Sequence, residues 1–373
     1  MNMFCNKKTS TEKQLSFLMG MYSVICFLFV TLPIIQSQAL VPDQTAVRVP
    51  AVFAFGDSID DPGNNNMLLT IAKSNFPPYG RDFIGHRATG RFSNGKIPTD
   101  FIASLLGVKE LLPAYLDPDV KEQDLLTGVS FASGGAGYDN LTAELLSVFS
   151  LWDQLEMFEE YKRELQAIVG EDRAVDIVAE GVCIIFAGTD DLMNTYFTSS
   201  IRALSYDLPS YINFVLQAAS SFLKELYNLG PRKIGVVGVP PIGCLPAQRT
   251  LRGGIARDCV DAYNQASIKF NSELSMEVER LATYHPGAKI VYIDVYNPLL
   301  ELIMHPYDYG FEEVTKGCFD PGKIVGTILP NNLSQLTCPD ATKYLFWDPD
   351  HPTEKGYQIL VNKILPKLLY LLK

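Results

Sequence analysis

Residues 51–66 read AVFAFGDSIDDPGNNN, and this stretch decides how the rest of the chain is interpreted. Its first five residues are apolar and uncharged, which is typical of a buried parallel strand. Gly56 interrupts the run, Asp57 and Ser58 follow, and several turn-forming residues come next. Open α/β sheets bind ligands at the carboxyl ends of their strands. Ser58 is therefore a candidate nucleophile on a tight turn, although a serine that caps a helix would give the same local pattern.

A second polar cluster, near the end of the chain, supplies possible partners for Ser58. Residues 346–357 read FWDPDHPTEKGY and place Asp348 three residues before His351. Of the four histidines, we single out His351, because Asp348 lies at a spacing that one turn can close. Pro352 disfavours helical geometry at His351, so a turn can bring Asp348 to one ring nitrogen and leave the other for Ser58. These are the groups that nucleophilic ester cleavage requires, but a histidine near a helix that Asp348 caps is the alternative.

Together the two motifs, FGDSxxDxGNNN and FWDxxHPTEKGY, resemble those of the plant GDSL esterase/lipases of the SGNH hydrolase superfamily. The resemblance runs from about Val52 to the last helix. It implies a flavodoxin-like fold with the nucleophile at the end of the first strand, and it maps the family's catalytic residues onto Ser58, Asp348 and His351. The GxSxG nucleophile elbow of α/β-hydrolases does not occur in the sequence.

The resemblance also implies an oxyanion hole, which in this family combines two backbone N–H groups with an asparagine side chain. The N–H groups map onto Ser58 and onto Gly134 in SFASGGAG, residues 130–137. The asparagine belongs to a GxND block, but residues 188–191 read GTDD, so Asp190 stands where asparagine is expected. An ionised carboxylate cannot donate a hydrogen bond, and losing one oxyanion donor costs about 10²–10³ in rate.

Three outcomes at Asp190 remain open from the sequence. An apolar site could hold Asp190 protonated, so that it donates like an amide. A neighbouring asparagine, either Asn194 or one of Asn64, Asn65 and Asn66, could donate in its place. Otherwise the enzyme would be weak or inactive. We expect activity to persist because the other motifs are intact.

Apolar runs alternate with helical patterns along the chain, which predicts a parallel sheet with helices on both faces. The predicted strands are residues 51–55, 129–132, 182–187, 233–239 and 289–294. The main predicted helices are residues 97–106, 141–165, 206–229 and 260–284, with a last one from Pro352 to the C-terminus. No repeat or linker interrupts the pattern. We therefore expect a single domain over residues 40–373, and the resemblance implies a three-layer α/β/α sandwich with a five-stranded sheet.

The first 39 residues differ in composition from the rest of the chain. Three lysines precede an uncharged stretch at residues 15–35, and the small residues at 37–39 suit a cleavage site. This pattern predicts a secretory signal peptide over residues 1–39. The stretch is long for such a peptide, so an uncleaved membrane anchor is the competing interpretation. No other stretch is long and apolar enough for stable membrane insertion.

The cysteines fit an oxidising compartment. The chain has seven, of which two precede the predicted cleavage site, so five remain. An odd number in a secreted protein implies disulfides and one free thiol. Cys183 lies in an apolar strand-like run and is the predicted free one, whereas Cys244 with Cys259 and Cys318 with Cys338 flank loops and are the predicted pairs. Five reduced cysteines in a cytosolic protein are the alternative, which the signal peptide disfavours.

Two Asn-X-Ser/Thr triplets matter mainly because the chain is predicted to be secreted, since such triplets also occur by chance. Asn140 and Asn332 begin them and are candidate glycosylation sites.

Composition excludes several other functions. The net charge is −11 and no Lys/Arg block interleaves with aromatic residues, so nucleic-acid binding is not expected. Metal-ligand clusters at zinc spacings are missing, and we expect neither a metal nor an organic cofactor.

The substrate class is open because the resembling family spans lipids, short acyl esters, acetylated polysaccharides and cutin-type acyl transfer. Residues 185–197, IFAGTDDLMNTYF, most resemble the extracellular-lipase branch. The sequence thus predicts a secreted serine esterase or lipase. An extracellular acyltransferase and a catalytically weakened binding protein remain as alternatives. The aromatic residues near the motifs are candidates for an acyl groove or for the core: Phe92, Phe131, Tyr138, Tyr196 and Phe197.

Overall fold

The computed structural model describes residues 49–319 and 337–372. The predictions of a signal peptide over residues 1–39 and of a glycan at Asn332 therefore lie outside the described residues. Within those two ranges, no helix has the length and apolar character needed to cross a membrane.

Four parallel strands form the central sheet. They are β1 (Val52–Gly56), β2 (Val182–Phe186), β3 (Lys233–Val237) and β4 (Lys289–Ile293), and they lie side by side in chain order. The register pairs Val52 with Val182, and the later strands continue it. All four strands are apolar runs, as expected for a sheet covered on both faces.

The second predicted strand, residues 129–132, runs along the outer edge of β1. Ala54 donates to the carbonyl of Val129 at 3.3 Å, and Phe131 donates to the carbonyl of Ala54 at 2.8 Å. The pairing is parallel but amounts to one isolated bridge, between Ala54 and Ser130. The expected five-stranded sheet thus consists of four continuous strands and this short edge segment.

Ten α-helices connect and cover the strands within the described part of the chain. In order they are α1 (Pro98–Leu105), α2 (Glu122–Leu125), α3 (Asn140–Leu146), α4 (Leu151–Val169), α5 (Glu171–Glu180), α6 (Leu208–Asn228), α7 (Pro246–Arg252), α8 (Asp261–Tyr284), α9 (Tyr296–Met304) and α10 (Glu354–Tyr370). A π-helix covers Asp191–Thr198, and two further strands, β5 (Glu313–Gly317) and β6 (Tyr344–Phe346), form a small second sheet.

The prediction of one helix over residues 141–165 was wrong, because α3 and α4 are separate helices. Ser147 adopts a left-handed conformation with φ of 54° and ends α3. Ser150 then caps α4 by accepting from the N–H of Asp153, whose carboxylate accepts in turn from the Ser150 N–H. This reciprocal arrangement is a capping box, which starts a new helix within four residues of the previous one.

The core lies on both faces of the sheet, as a three-layer sandwich requires. Along β2, Ile184 and Phe186 pack with residues of α1 and α10, whereas Cys183 and Ile185 pack with residues of α4, α6 and α8. Successive side chains of a strand point to opposite faces, so each layer of helices receives alternate residues. Cys183 is buried and unpaired, as predicted.

Both predicted disulfides are present. Cys244 pairs with Cys259, and Cys318 pairs with Cys338. The disulfide between Cys318 and Cys338 packs in a small cluster with Tyr79 and Trp347. Trp347 directly precedes Asp348 in the chain.

Parallel strands bring the polar residues that follow them to one edge of the sheet. Ser58 follows β1, Gly134 follows the edge segment, and Asp190 follows β2. Because β1 lies between the edge segment and β2, this edge is the point where the strand order reverses, which is where open α/β sheets bind ligands.

Candidate active site

Gly56 and Gln154 fix the strand end that delivers Ser58. Gly56 has φ of +132°, and a side chain there would place its Cβ 1.8 Å from the carbonyl oxygen of Phe186. The buried amide of Gln154 accepts from the Gly56 N–H at 2.8 Å and donates to the Gly56 carbonyl at 2.9 Å. Glycine is therefore required at this position, and both of its backbone polar groups are held by one side chain.

A tight turn brings His351 onto Asp348. The Oδ1 atom of Asp348 accepts from the backbone N–H groups of Asp350 and His351, at 2.8 and 2.7 Å. In the same turn, His351 Nδ1 lies 2.9 Å from Asp348 Oδ1 and 2.8 Å from Oδ2. The imidazole thus shares a proton with the carboxylate while its other nitrogen points away, as the spacing in the sequence predicts.

The free nitrogen of His351 meets the serine from the other end of the chain. Its Nε2 atom lies 2.7 Å from Ser58 Oγ, although the two residues are separated by 293 positions. Ser58 is half-buried, His351 is 7% exposed and Asp348 is fully buried. The structure therefore brings together the three residues that the motifs indicate, at hydrogen-bond distance and largely out of water.

Tyr79 and Phe92 complete the surroundings of this pair, and the sequence did not predict either role. The buried Tyr79 hydroxyl donates to Asp348 Oδ2 at 2.8 Å. The ring of Phe92 packs against the imidazole of His351, with centroids 5.0 Å apart. The only signal for Tyr79 is its place in a Pro-Pro-Tyr-Gly turn, residues 77–80, and nothing in that turn shows that it faces Asp348.

Burial and charge act in opposite directions on His351 and Asp348. Burial alone lowers the pKa of His351, but the charge and hydrogen bond of Asp348, with Asp350 and Asp190 nearby, raise that pKa to about 9. Burial alone raises the pKa of Asp348, but His351, the Asp350 N–H and the Tyr79 hydroxyl together hold it below its usual range. Asp348 is therefore kept as an anion that favours a charged imidazolium beside it.

Gly134 lies next to the site, but its N–H already has an acceptor. It donates to Asp61 Oδ2 at 2.9 Å, and its carbonyl accepts from the side chain of Asn65. A Cβ at this position would come within 2.7 Å of the Phe92 ring, which itself packs on His351. Its role as an oxyanion donor therefore stays a prediction.

Asp190 is 7% exposed and has one amide partner. Asn194, one turn further on, donates from Nδ2 to Asp190 Oδ1 at 2.5 Å. Burial raises the pKa of Asp190 well above its ordinary value, and the charges of Asp57, Asp191 and Asp350 raise it further. These conditions favour the protonated acid, which can donate a hydrogen bond.

The three consecutive asparagines have a structural role instead. The side-chain amide of Asn64 donates to the carbonyls of Ser130 and Ala132. That of Asn65 donates to the carbonyls of Ala72 and Gly134, and that of Asn66 donates to the carbonyl of Thr89. Asn64 and Asn65 therefore have no amide hydrogen left for an oxyanion, and these residues brace the loop instead.

Several other carboxyl groups lie buried around the site. Burial raises the pKa of Asp57 to about 7, and the pKa values of Asp61, Asp191 and Asp350 to about 6. Burial, with the charge of Asp57, raises the pKa of Asp60 well above its ordinary value. Despite this density of carboxylates, no group of three or more His, Cys, Asp or Glu side chains in the described ranges is arranged to hold a metal ion.

The remaining predicted residues fall outside the centre of the site. Asn140 is exposed at the start of α3, with Thr142 of its triplet buried and bonded to Asp191. Of the aromatic residues near the motifs, Phe131 and Tyr138 belong to the core. Phe92 alone packs on His351.

The chain is similar to known proteins along most of its length. The family model described as GDSL-like Lipase/Acylhydrolase matches residues 52–364. GDSL esterase/lipase EXL3 of Arabidopsis thaliana is 49% identical over 321 residues, which cover 86% of this chain and 88% of that protein. GDSL esterase/lipase At5g42170 of the same plant is 46% identical over 319 residues, which cover 86% of each chain.

The family model spans most of the chain, including the whole sheet and the loop that carries His351. The relatives are similar over nearly their full length, and they are named as esterases or lipases. The chain therefore belongs to the GDSL-like lipase/acylhydrolase family and is a carboxylic ester hydrolase.

Proposed function

We propose that this chain is a secreted serine esterase or lipase that cleaves acyl esters with Ser58, His351 and Asp348. The observation that carries the proposal is the continuous path from Ser58 Oγ through both ring nitrogens of His351 to Asp348, with each step at 2.7–2.9 Å. A nucleophile, its base and an orienting carboxylate in this order define the serine-hydrolase arrangement on any fold.

In this mechanism the reactive form of the enzyme is the one in which His351 has lost its Nε2 proton and keeps the proton on Nδ1, facing Asp348. Its Nε2 accepts the hydroxyl proton of Ser58 as the serine oxygen bonds to the acyl carbon. Nε2 then returns that proton to the alcohol oxygen as the ester C–O bond breaks. A water molecule repeats the cycle, giving its proton to Nε2 while its oxygen displaces Ser58 from the acyl group. Asp348 stabilises the imidazolium that forms in both halves.

The negative oxygen that forms during each attack needs donors. The N–H of Ser58 has no acceptor among the described residues and is free to donate. We assign the second donor to Asp190 in its protonated form, held in place by Asn194. A further contribution from Gly134 requires its N–H to be shared with Asp61.

A fluorophosphonate probe, which reacts with activated serines, tests the proposed function. We expect wild type to be labelled and to hydrolyse p-nitrophenyl butyrate, and Ser58→Ala to do neither. Ser205→Ala removes an exposed serine and serves as the control, with labelling unchanged. If wild type is not labelled, or if Ser58→Ala is labelled equally, the proposal is wrong and the binding-protein alternative gains support. Analysis of products with a polyol acceptor separates hydrolysis from acyl transfer.

The role of Asp190 has its own test. The amide that Asp190→Asn introduces would donate at any pH, whereas the carboxyl group of wild type donates only when protonated. We therefore expect the activity of wild type relative to Asp190→Asn to fall as the pH rises between about 4 and about 8. A constant ratio over that range would remove Asp190 from the oxyanion hole.

Secretion rests on separate features of the chain. Two disulfides link Cys244 to Cys259 and Cys318 to Cys338. Disulfides persist in oxidising compartments, which agrees with the predicted leader at residues 1–39 and with an exposed Asn140. Cleavage after Ala39 and a glycan on Asn140, both measured by mass spectrometry of the secreted protein, are the expected results.

A further inference from the structure

A cavity is lined by residues that directly adjoin in the chain those proposed for catalysis. Its walls include Asp57 and Ile59, the two neighbours of Ser58, and Asp350 and Pro352, the two neighbours of His351. Thr189, which precedes Asp190, lines it as well. The cavity is therefore formed by the same three loops that carry the nucleophile, the base and the proposed oxyanion donor.

The rest of the cavity is apolar. Some of the hydrocarbon side chains come from the end of β2 and the start of α9: Phe186, Val295 and Leu299. The others come from one side of α10: Leu360, Val361 and Ile364. Most of these side chains are buried. A space lined in this way offers water few hydrogen-bond partners, so a hydrocarbon group is the better occupant.

The size of the cavity limits what can enter it. Its volume is about 60 Å³. Since one buried water needs about 10–15 Å³, this corresponds to a row of about four to six water-sized spheres. A short or medium unbranched chain fits such a space, whereas a long fatty chain would extend beyond it.

We propose that this cavity binds the acyl chain of the substrate and makes the enzyme selective for esters of short- to medium-chain fatty acids. The inference rests on the proposed function, because the acyl group must be attached to Ser58. The leaving alcohol departs after the first half of the reaction, while the acyl group remains until water releases it. An apolar space next to the nucleophile therefore suits the acyl group better than the alcohol.

Chain length provides the first readout. Each methylene that enters an apolar site raises kcat/KM by about fourfold. When the wild-type enzyme is assayed with a series of p-nitrophenyl esters, we expect kcat/KM to rise from acetate to hexanoate and then to fall for palmitate. A flat profile, or one that keeps rising to palmitate, would contradict a cavity of this size.

Two substitutions change the cavity in opposite directions, and a third provides the control. Val295→Phe fills part of it, so the hexanoate-to-acetate ratio of kcat/KM should fall by at least about tenfold. Leu299→Ala enlarges it, so the optimum should move to a longer chain, a change that loss of stability alone would not produce. Val169→Phe adds the same bulk at another half-buried valine, the last residue of α4, which does not line the cavity, and should leave the ratio unchanged.

The outcomes separate this inference from the proposed function. Ester hydrolysis that does not depend on Ser58 would refute both. Ser58-dependent hydrolysis with the same chain-length profile in wild type, Val295→Phe and Leu299→Ala would refute only the acyl site. If Val295→Phe does not fold, the profile of Leu299→Ala decides the question.

Discussion

Replacing Tyr79 with phenylalanine should weaken catalysis without touching Ser58 or His351. The substitution removes one hydroxyl, which donates at 2.8 Å to a fully buried Asp348. Asp348 keeps its two backbone donors and the His351 ring, but Oδ2 loses a donor that solvent cannot replace. Hydrogen bonds to charged groups are worth about 1.5–3 kcal/mol, so Tyr79→Phe should lose stability of that order.

The kinetic consequence follows from the geometry of the carboxylate. The two backbone donors to Oδ1 keep Asp348 against the imidazole, but with Oδ2 unanchored the carboxylate orients His351 less well, and we expect kcat/KM to fall by about tenfold or more. Without the Tyr79 donor, Asp348 also directs more negative charge at the imidazole. The pKa of His351 should then rise further, and the acid limb of the pH profile of kcat/KM should move to higher pH.

A matched variant separates positioning from stability. Tyr161 is also buried, and its hydroxyl donates to the carbonyl of Leu125 at 2.6 Å, in the core. Tyr161→Phe should lower the melting temperature in a comparable way but leave kcat/KM and its pH profile as in wild type. If Tyr79→Phe changes only the melting temperature, as this control does, the reasoning about Asp348 is refuted.

Three further predictions concern the scaffold. Gln154→Ala removes the acceptor of the Gly56 N–H and leaves its carbonyl with the Ser133 N–H as donor, so it should cost about 1–3 kcal/mol in a denaturation experiment and lower kcat as Ser58 loses its support. Since burial raises the pKa values of the four aspartates described above to about 6–7, calorimetry should show a higher melting temperature near pH 5 than near pH 8. Replacing Cys318 and Cys338 together by alanine should cost about 2–4 kcal/mol of unfolding free energy.

The sign of the pH effect follows from linkage. A carboxyl group whose folded pKa is raised contributes stability below its unfolded pKa of about 3.9, and this is lost as the pH rises through 6–7. His351 acts in the same direction over a higher pH range, because the stability that it contributes is lost as the pH rises from about 6.5 to about 9. Asp348, whose pKa is lowered, contributes stability above its unfolded pKa and loses it only in stronger acid. The reverse order of melting temperatures would contradict this account.

The controls for the other two predictions use the same assays. Gln166 lies on α4, near its C-terminal end, and is exposed, so Gln166→Ala should change neither stability nor kcat. Reduction of the wild-type disulfides should lower the melting temperature at least as much as the double alanine variant does. A double variant as stable as wild type would show that this bridge adds nothing to the fold.

The features that the sequence predicts correctly are those written in local patterns. Apolar runs of five residues mark the strands, and a serine or histidine beside turn formers marks the strand ends. The spacing of Asp348 and His351 fits within a single turn, which the structure confirms.

The features that the sequence misses depend on contacts between distant segments. Tyr79 meets Asp348 across 269 positions, and Gln154 meets Gly56 across 98, so neither pair leaves a local trace. The break after α3 depends on one residue, Ser147, adopting a left-handed conformation that its type rarely takes. The aromatic residues near the motifs entered the core or packed on His351, whereas the cavity is lined by aliphatic residues from α9 and α10 that carry no motif.

In the mechanism proposed above, the separation of Ser58 from His351 sets the order in which the protein acquires its activity. Ser58 is synthesised 293 positions before His351, after which α10 follows. Until His351 has been made, the growing chain holds a serine without its base, and an ester that it meets is left intact. Ester cleavage then begins only when the segment with His351 has folded back against the end of the first strand.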